Sequence, residues 1–148
     1  MERLCLSSSL RRNFRFTCPG DRSQCRAIIA HSEIVLVALD APRALEKEGI
    51  EAEVIDPRTL RSPESETILN SVKKTIRAVI VEEGWPYCGV GAQIADTIQL
   101  RAFDCLDAPI LRVTGADVLM PCAKNLEHLC QPEKARVRDA PHRVLYRK

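Results

Sequence analysis

The chain has 148 residues, of which 45% are hydrophobic and 4% aromatic, so one core of aliphatic side chains is the natural expectation. A formal charge of +2 excludes the concentrated basic surface of a nucleic-acid binder, and no stretch approaches the roughly 18 to 20 apolar residues of a membrane-crossing helix. Neither a nucleic acid nor a membrane is expected as a partner. Seven cysteines (Cys5, Cys18, Cys25, Cys88, Cys105, Cys122 and Cys130) show no C-x-x-C pair. That spacing argues against a structural metal site and for free thiols.

Residues 1–25 are rich in Arg and Ser and carry a Pro19-Gly20 turn. The composition suits an organelle transit peptide or an unstructured leader, outside the fold in either case. The domain is expected to run from Arg26 to Lys148. Arg26 to Ala30 predicts a short strand. Glu33 to Glu48 predicts a helix closed by Gly49, with Pro42 kinking it at a cost of roughly 3 kcal/mol if it is truly interior. Glu51 to Ile55 alternates as a strand does, and Pro57 ends it. Ser62 or Ser65 can cap a helix reaching about Lys74, with Ile68, Leu69 and Val72 on one face.

Arg77 to Val81 is a continuous aliphatic run of the kind found in buried parallel strands. A loop through Gly84-Trp85-Pro86 leads to a helix from Val90 to Arg101. A fourth strand is predicted over Pro109 to Val113 and a short helix over Cys122 to Leu129. A last helix is predicted over Glu133 to Tyr146, interrupted by Pro141. Strands separated by helices imply crossover connections. The expected architecture is α/β, a three-layer αβα sandwich on a mainly parallel sheet of about five strands.

The segments VEEGWPYCGVGAQIADTI and DAPILRVTGADVLMP, with AHSEIVLVALDAPRALEKEGIEAEVIDPRTLRSPESETI upstream and RVLYRK at the end, carry a family signature. The chain resembles, from about Ile28 to Lys148, the transketolase-like C-terminal domain of the beta subunits of thiamine-diphosphate-dependent 2-oxo acid dehydrogenases, on the pyruvate dehydrogenase branch. The resemblance implies an assembly domain supporting oxidative decarboxylation of pyruvate within a heterotetramer of alpha and beta subunits. It implies no autonomous catalysis and no cofactor or metal on this chain, thiamine diphosphate and magnesium belonging to the full assembly.

The implied partners are the alpha subunit, the beta subunit and the subunit-binding domain of the dihydrolipoyl acetyltransferase. The implied partner-binding positions are Asp107 and the terminal carboxylate on Lys148. The implied location is the mitochondrial matrix or the bacterial cytoplasm. A stand-alone or vestigial binding module, or the equivalent domain of another 2-oxo acid dehydrogenase or of transketolase, is the alternative. Departures from the family pattern at Leu36, Pro42, Leu119, Cys122 and Pro141 point toward a truncated or relaxed copy.

The residues themselves support few chemical sites. Gly89 and Gly91 suggest the dinucleotide fingerprint, but its third glycine is Ile94 and the glycines lie far beyond the strand. Close packing of a helix start against the sheet is the better reading. Gly84 is expected to allow a sharp turn and Trp85 to pack at that corner. Glu82 and Glu83, as neighbours on a strand end, point to opposite faces and suit capping or solvent better than a shared substrate. His31 is the best lone general-base candidate, yet no nucleophile or orienting carboxylate can be assigned to it, and a buried, hydrogen-bonded loop histidine is expected. His128 and His142 are expected at the surface.

Overall fold

The computed structural model describes residues 25–48, 50–57, 59–60, 65–132 and 134–144. Residues 1–24 of the predicted leader, Gly49, Ser62 and Lys148 therefore lie outside the described residues, whereas Cys25, expected as the leader's last residue, opens the first described strand. Four parallel strands form one sheet: β1 (Cys25–Ala30), β2 (Glu51–Ile55), β3 (Ala78–Val81) and β4 (Leu111–Val113), in the order β2-β1-β3-β4. Ala27 lies opposite Glu53 on one side and Ala78 on the other, and Val79 lies opposite Leu111. The first strand among the described residues is thus central, and every residue of β1 is buried.

Alternation along the strands divides the core in two. Ile28, Ala30, Val54, Val79 and Val81 face one layer of helices, formed by α1 (Ile34–Ala38), α2 (Asp40–Glu46) and a C-terminal helix (Lys134–Arg143). Ala27, Ile29, Ile55, Ala78 and Ile80 face the other, formed by α3 (Ser65–Thr75) and α4 (Val90–Ala102). A short helix, α5 (Lys124–Cys130), precedes the C-terminal one, α6, and contributes no buried residue. The αβα sandwich is as expected, with four strands among the described residues in place of about five.

The single helix expected over 33–48 is two short ones, α1 and α2, meeting at Leu39. Pro42 is the reason it costs little: it sits in the first turn of α2, where backbone amides have no intrahelical acceptor, and its ring is buried. The N–H of Ile50 closes back onto the Leu45 carbonyl at 3.0 Å. Ser65 opens α3 rather than preceding it. Pro141 lies inside α6 near its end, as expected, so the helix survives with one ladder bond fewer. Ile76, directly after α3, has φ 57, a left-handed conformation that a β-branched residue rarely adopts. Its amide reaches Val72 O at 2.7 Å and its carbonyl receives the Asp107 amide at 2.9 Å, so both flanks hold it there.

Cys88, Cys105, Cys122 and Cys130 are free thiols. Cys25 departs from that expectation and is disulfide-bonded. Spacing along the chain does not encode which thiols folding brings within bonding reach.

Candidate docking sites at the two ends of the sheet

Strands β3 and β4 are flanked at both ends by a carboxylate–arginine pair. At the C-terminal end, Glu82 directly follows β3 and is 1% exposed. One carboxylate oxygen pairs with the Arg112 guanidinium, from the middle of β4, and the other accepts the Gly91 amide at 2.7 Å. Gly91 is the second residue of α4, so the carboxylate sits on the helix's positive N-terminus and satisfies one of its orphan donors. The same Arg112 group donates to Pro86 O at 3.0 Å and so fixes the following loop.

This arrangement explains the two glycines. A Cβ on Gly91 would lie 2.5 Å from Glu82 Oε1, and one on Gly89 would lie 2.6 Å from Trp85 O and 2.7 Å from Glu82 Oε2. They are bare because a side-chain carboxylate and a carbonyl fill the space, as the close-packing reading anticipated. The capping expectation holds for Glu82 and the solvated one does not. A diphosphate does not fit this helix start, since the place of the anion is taken by the chain's own carboxylate.

Gly84 differs from expectation. A Cβ there would meet nothing within 4 Å and its φ is ordinary, so the left-handed residue of this loop is Cys88, at φ 52. Trp85 does not pack away either. It is 49% exposed, and its indole N–H donates to Val118 O at 2.9 Å, tying the loop after β3 to the loop after β4.

The crevice between the C-terminal ends of β1 and β3 is the place where the chain changes direction across the sheet, the usual position for a ligand in an open α/β fold. It holds His31, Glu33 and Glu83. His31 is half-buried, and its Nε2 is buried without a hydrogen-bond partner among the described residues, against the expected satisfied histidine. Burial raises the Glu83 carboxyl above its ordinary range, the Glu33 charge pushes the same way, and His31 opposes both. Among the described residues no group of three or more His, Cys, Asp or Glu is placed to hold a metal ion. His128 is exposed as expected. His142 is half-buried instead, with Nε2 3.5 Å from Glu48, because α6 packs against α2.

At the opposite end, Asp107 precedes β4 and Arg77 precedes β3. The Arg77 guanidinium holds one Asp107 oxygen, its Nε at 3.1 Å, while the Asp107 amide donates to Ile76 O. Half of the Asp107 side chain remains exposed, whereas Arg77 is largely covered. The carboxylate is therefore oriented and accessible at once. Its expected companion, the carboxylate of Lys148, lies outside the described residues.

Comparison with known proteins accounts for this construction. The family model "Transketolase, C-terminal domain" matches residues 22–137. The chain is 50% identical over 119 residues to the pyruvate dehydrogenase E1 component subunit beta of Rickettsia felis, a match covering 80% of the chain and 36% of that relative. It is 54% identical over 107 residues to the mitochondrial counterpart of Bos taurus, covering 72% and 30%. It is 48% identical over 120 residues to the mitochondrial counterpart of Dictyostelium discoideum, covering 81% and 34%. A solved structure titled "Split gene transketolase, inactive beta4 tetramer" superposes with TM-score 0.69 at 25% identity, covering 82% of this chain and 38% of that one. The chain thus spans about a third of the length of the relatives it matches.

Proposed function

The chain belongs to the transketolase C-terminal domain family, and on that premise we propose that it serves as the C-terminal assembly domain of a pyruvate dehydrogenase beta subunit. It supports oxidative decarboxylation of pyruvate by holding subunits together rather than by chemistry of its own. The observation that carries this reading is the identity of about half of all residues with pyruvate dehydrogenase beta subunits over 119 positions. Two structural features support it. The one helix start that resembles a phosphate cradle is filled by Glu82, and the relative with the similar fold assembles as a tetramer of one kind of chain.

The partners proposed are the alpha subunit, other beta subunits and the basic subunit-binding domain of the dihydrolipoyl acetyltransferase. Asp107 is proposed as part of the acidic spot facing that last domain, with the carboxylate of Lys148 as its other half. An exposed acid held at a fixed angle steers a basic partner and sets its register. Thiamine diphosphate and magnesium are assigned to other parts of the assembly. The location proposed is the mitochondrial matrix or the bacterial cytoplasm, a reading supported by mitochondrial and bacterial relatives.

Co-purification with an intact alpha subunit and the acetyltransferase tests the proposal. Capture of either supports it, and capture of neither overturns it. Calorimetric titration with thiamine diphosphate and magnesium is expected to show no binding. Micromolar affinity would overturn the assignment of the cofactor elsewhere.

A further inference from the structure

Placing Arg77 against Asp107 is a poor arrangement for attraction alone. A guanidinium beside an acid offsets part of its charge, and it presents a like charge to any basic partner that approaches. The arginine is nevertheless held there from several directions. Its carbonyl accepts the Ala27 amide of β1 at 3.0 Å and the Thr75 hydroxyl at 3.1 Å, and Thr75 is itself buried. Its side chain is 11% exposed, which leaves it little room to swing. The residue before it, Ile76, keeps a φ of 57 while its carbonyl receives the Asp107 amide, so local strain persists at the point that ties down the acid's backbone.

The geometry at the acid is selective as well. Both Nε and the terminal nitrogen of Arg77 converge on Asp107 Oδ2, whereas an arginine fork commonly engages both carboxylate oxygens. Oδ1 accepts no hydrogen bond among the described residues. We propose that Arg77 is a positioning residue for docking: it fixes Oδ2 so that Oδ1 meets a basic partner at a set angle, even though its charge weakens the attraction. The inference rests on the docking role proposed for Asp107 and adds the residue through which that role works.

Other ion pairs show what a different purpose looks like. In Arg43–Asp40, Arg101–Glu66 and Arg138–Asp139 both members are about half exposed or more, and either can move. In Glu82–Arg112 and Glu53–Lys74 the acid is the covered member. Asp107–Arg77 joins an acid that is 51% exposed to a cation anchored on the central strand.

Stopped flow with the full chain and a labelled subunit-binding domain of the acetyltransferase tests this. Arg77→Met is expected to speed dissociation about tenfold. Association should be as fast as before or faster, since a like charge is gone. Arg77→Lys keeps the charge and loses the fork, and is expected to hold the increase to about threefold. In an Asp107→Ala background, Arg77→Met is expected to change dissociation by less than about twofold, because the arginine acts through the acid. Thermal melts identify which variants stay folded. A residue that only staples the two strand starts together would leave both rates unchanged in a folded chain.

Unchanged dissociation in folded Arg77→Met, a lysine variant no better than the methionine one, or an equal effect with Asp107 already removed would overturn the proposal. Should Arg77→Met unfold, Arg77→Lys carries the test, and dissociation at the unaltered rate overturns it. Asp107→Ala alone separates this inference from the reading beneath it. If that change alters neither rate, the docking role of Asp107 falls and the inference with it. If it weakens docking while folded Arg77→Met does not, the acid docks and only the positioning role of Arg77 is lost.

Discussion

Two acid–arginine pairs clamp the same pair of strands and are built for opposite ends. Glu82–Arg112 has its carboxylate sealed from water and every oxygen engaged, while Asp107–Arg77 has its arginine covered and its acid half in solvent. The contrast separates an acid sealed inside the fold from one left half open to solvent. Burial makes the first expensive to break and useless to a partner. Exposure makes the second cheap to break and able to meet a partner. The covered member is the acid in one case and the base in the other, and that alone decides which sign faces outward.

The strongest way to break this contrast is Glu82→Ala. It strands a mostly covered guanidinium and frees the Gly91 amide, so a loss of about 3 to 5 kcal/mol is expected by urea denaturation. A loss below about 1 kcal/mol would make the two ends equivalent. Gly91→Ala is expected to cost about 1 to 3 kcal/mol, because the new methyl meets a carboxylate that cannot retreat without leaving Arg112. A neutral result by the same measurement would mean that Glu82 is free to move.

Asp107→Asn should cost less than about 1 kcal/mol of stability. It should also slow association with the acetyltransferase's subunit-binding domain in a salt-dependent way, read by stopped flow at two ionic strengths. An unchanged rate would leave Asp107 a purely local clamp.

The smallest effect belongs to Glu83. Its carboxyl is raised in the folded state by burial and by Glu33, so it favours folding when protonated and loses that contribution as pH rises through the raised value. Glu83→Gln is accordingly expected to stabilise by a few tenths of a kcal/mol near neutral pH, with the gain vanishing below the ordinary glutamate range. Thermal melts at both pH values check the sign, and a gain confined to acid pH would reverse it.

β1 and β3 were legible from the aliphatic runs Ala27-Ile28-Ile29-Ala30 and Ala78-Val79-Ile80-Val81, of the kind found in buried parallel strands, and β2 from its alternation, although β1 and β2 also bury Arg26 and Glu53. Even the glycine pair at 89 and 91 was readable as close packing. What filled the space was not. Glu82 and Gly91 are nine positions apart, and only the turn through Trp85 and Pro86 brings them together. The division at Leu39 was missed because helical periodicity continues across it, and Pro42 looks interior until the break makes it a first-turn residue. The exposure of Trp85 and of α5 was equally unreadable, since an apolar residue carries the same letter whether its own chain or another covers it.

The placement of β1 between β2 and β3 also governs how the domain comes into being. β1 needs neighbours on both sides, and both follow it along the chain, the second ending only at Val81. Each ladder joins strands separated by a crossover, so loop-closure entropy must be met before any pairing rewards it, and folding is expected to be slower than for a helical domain of this size. Until then the strand CRAIIA, buried along its whole length in the fold, has no partner on its second side.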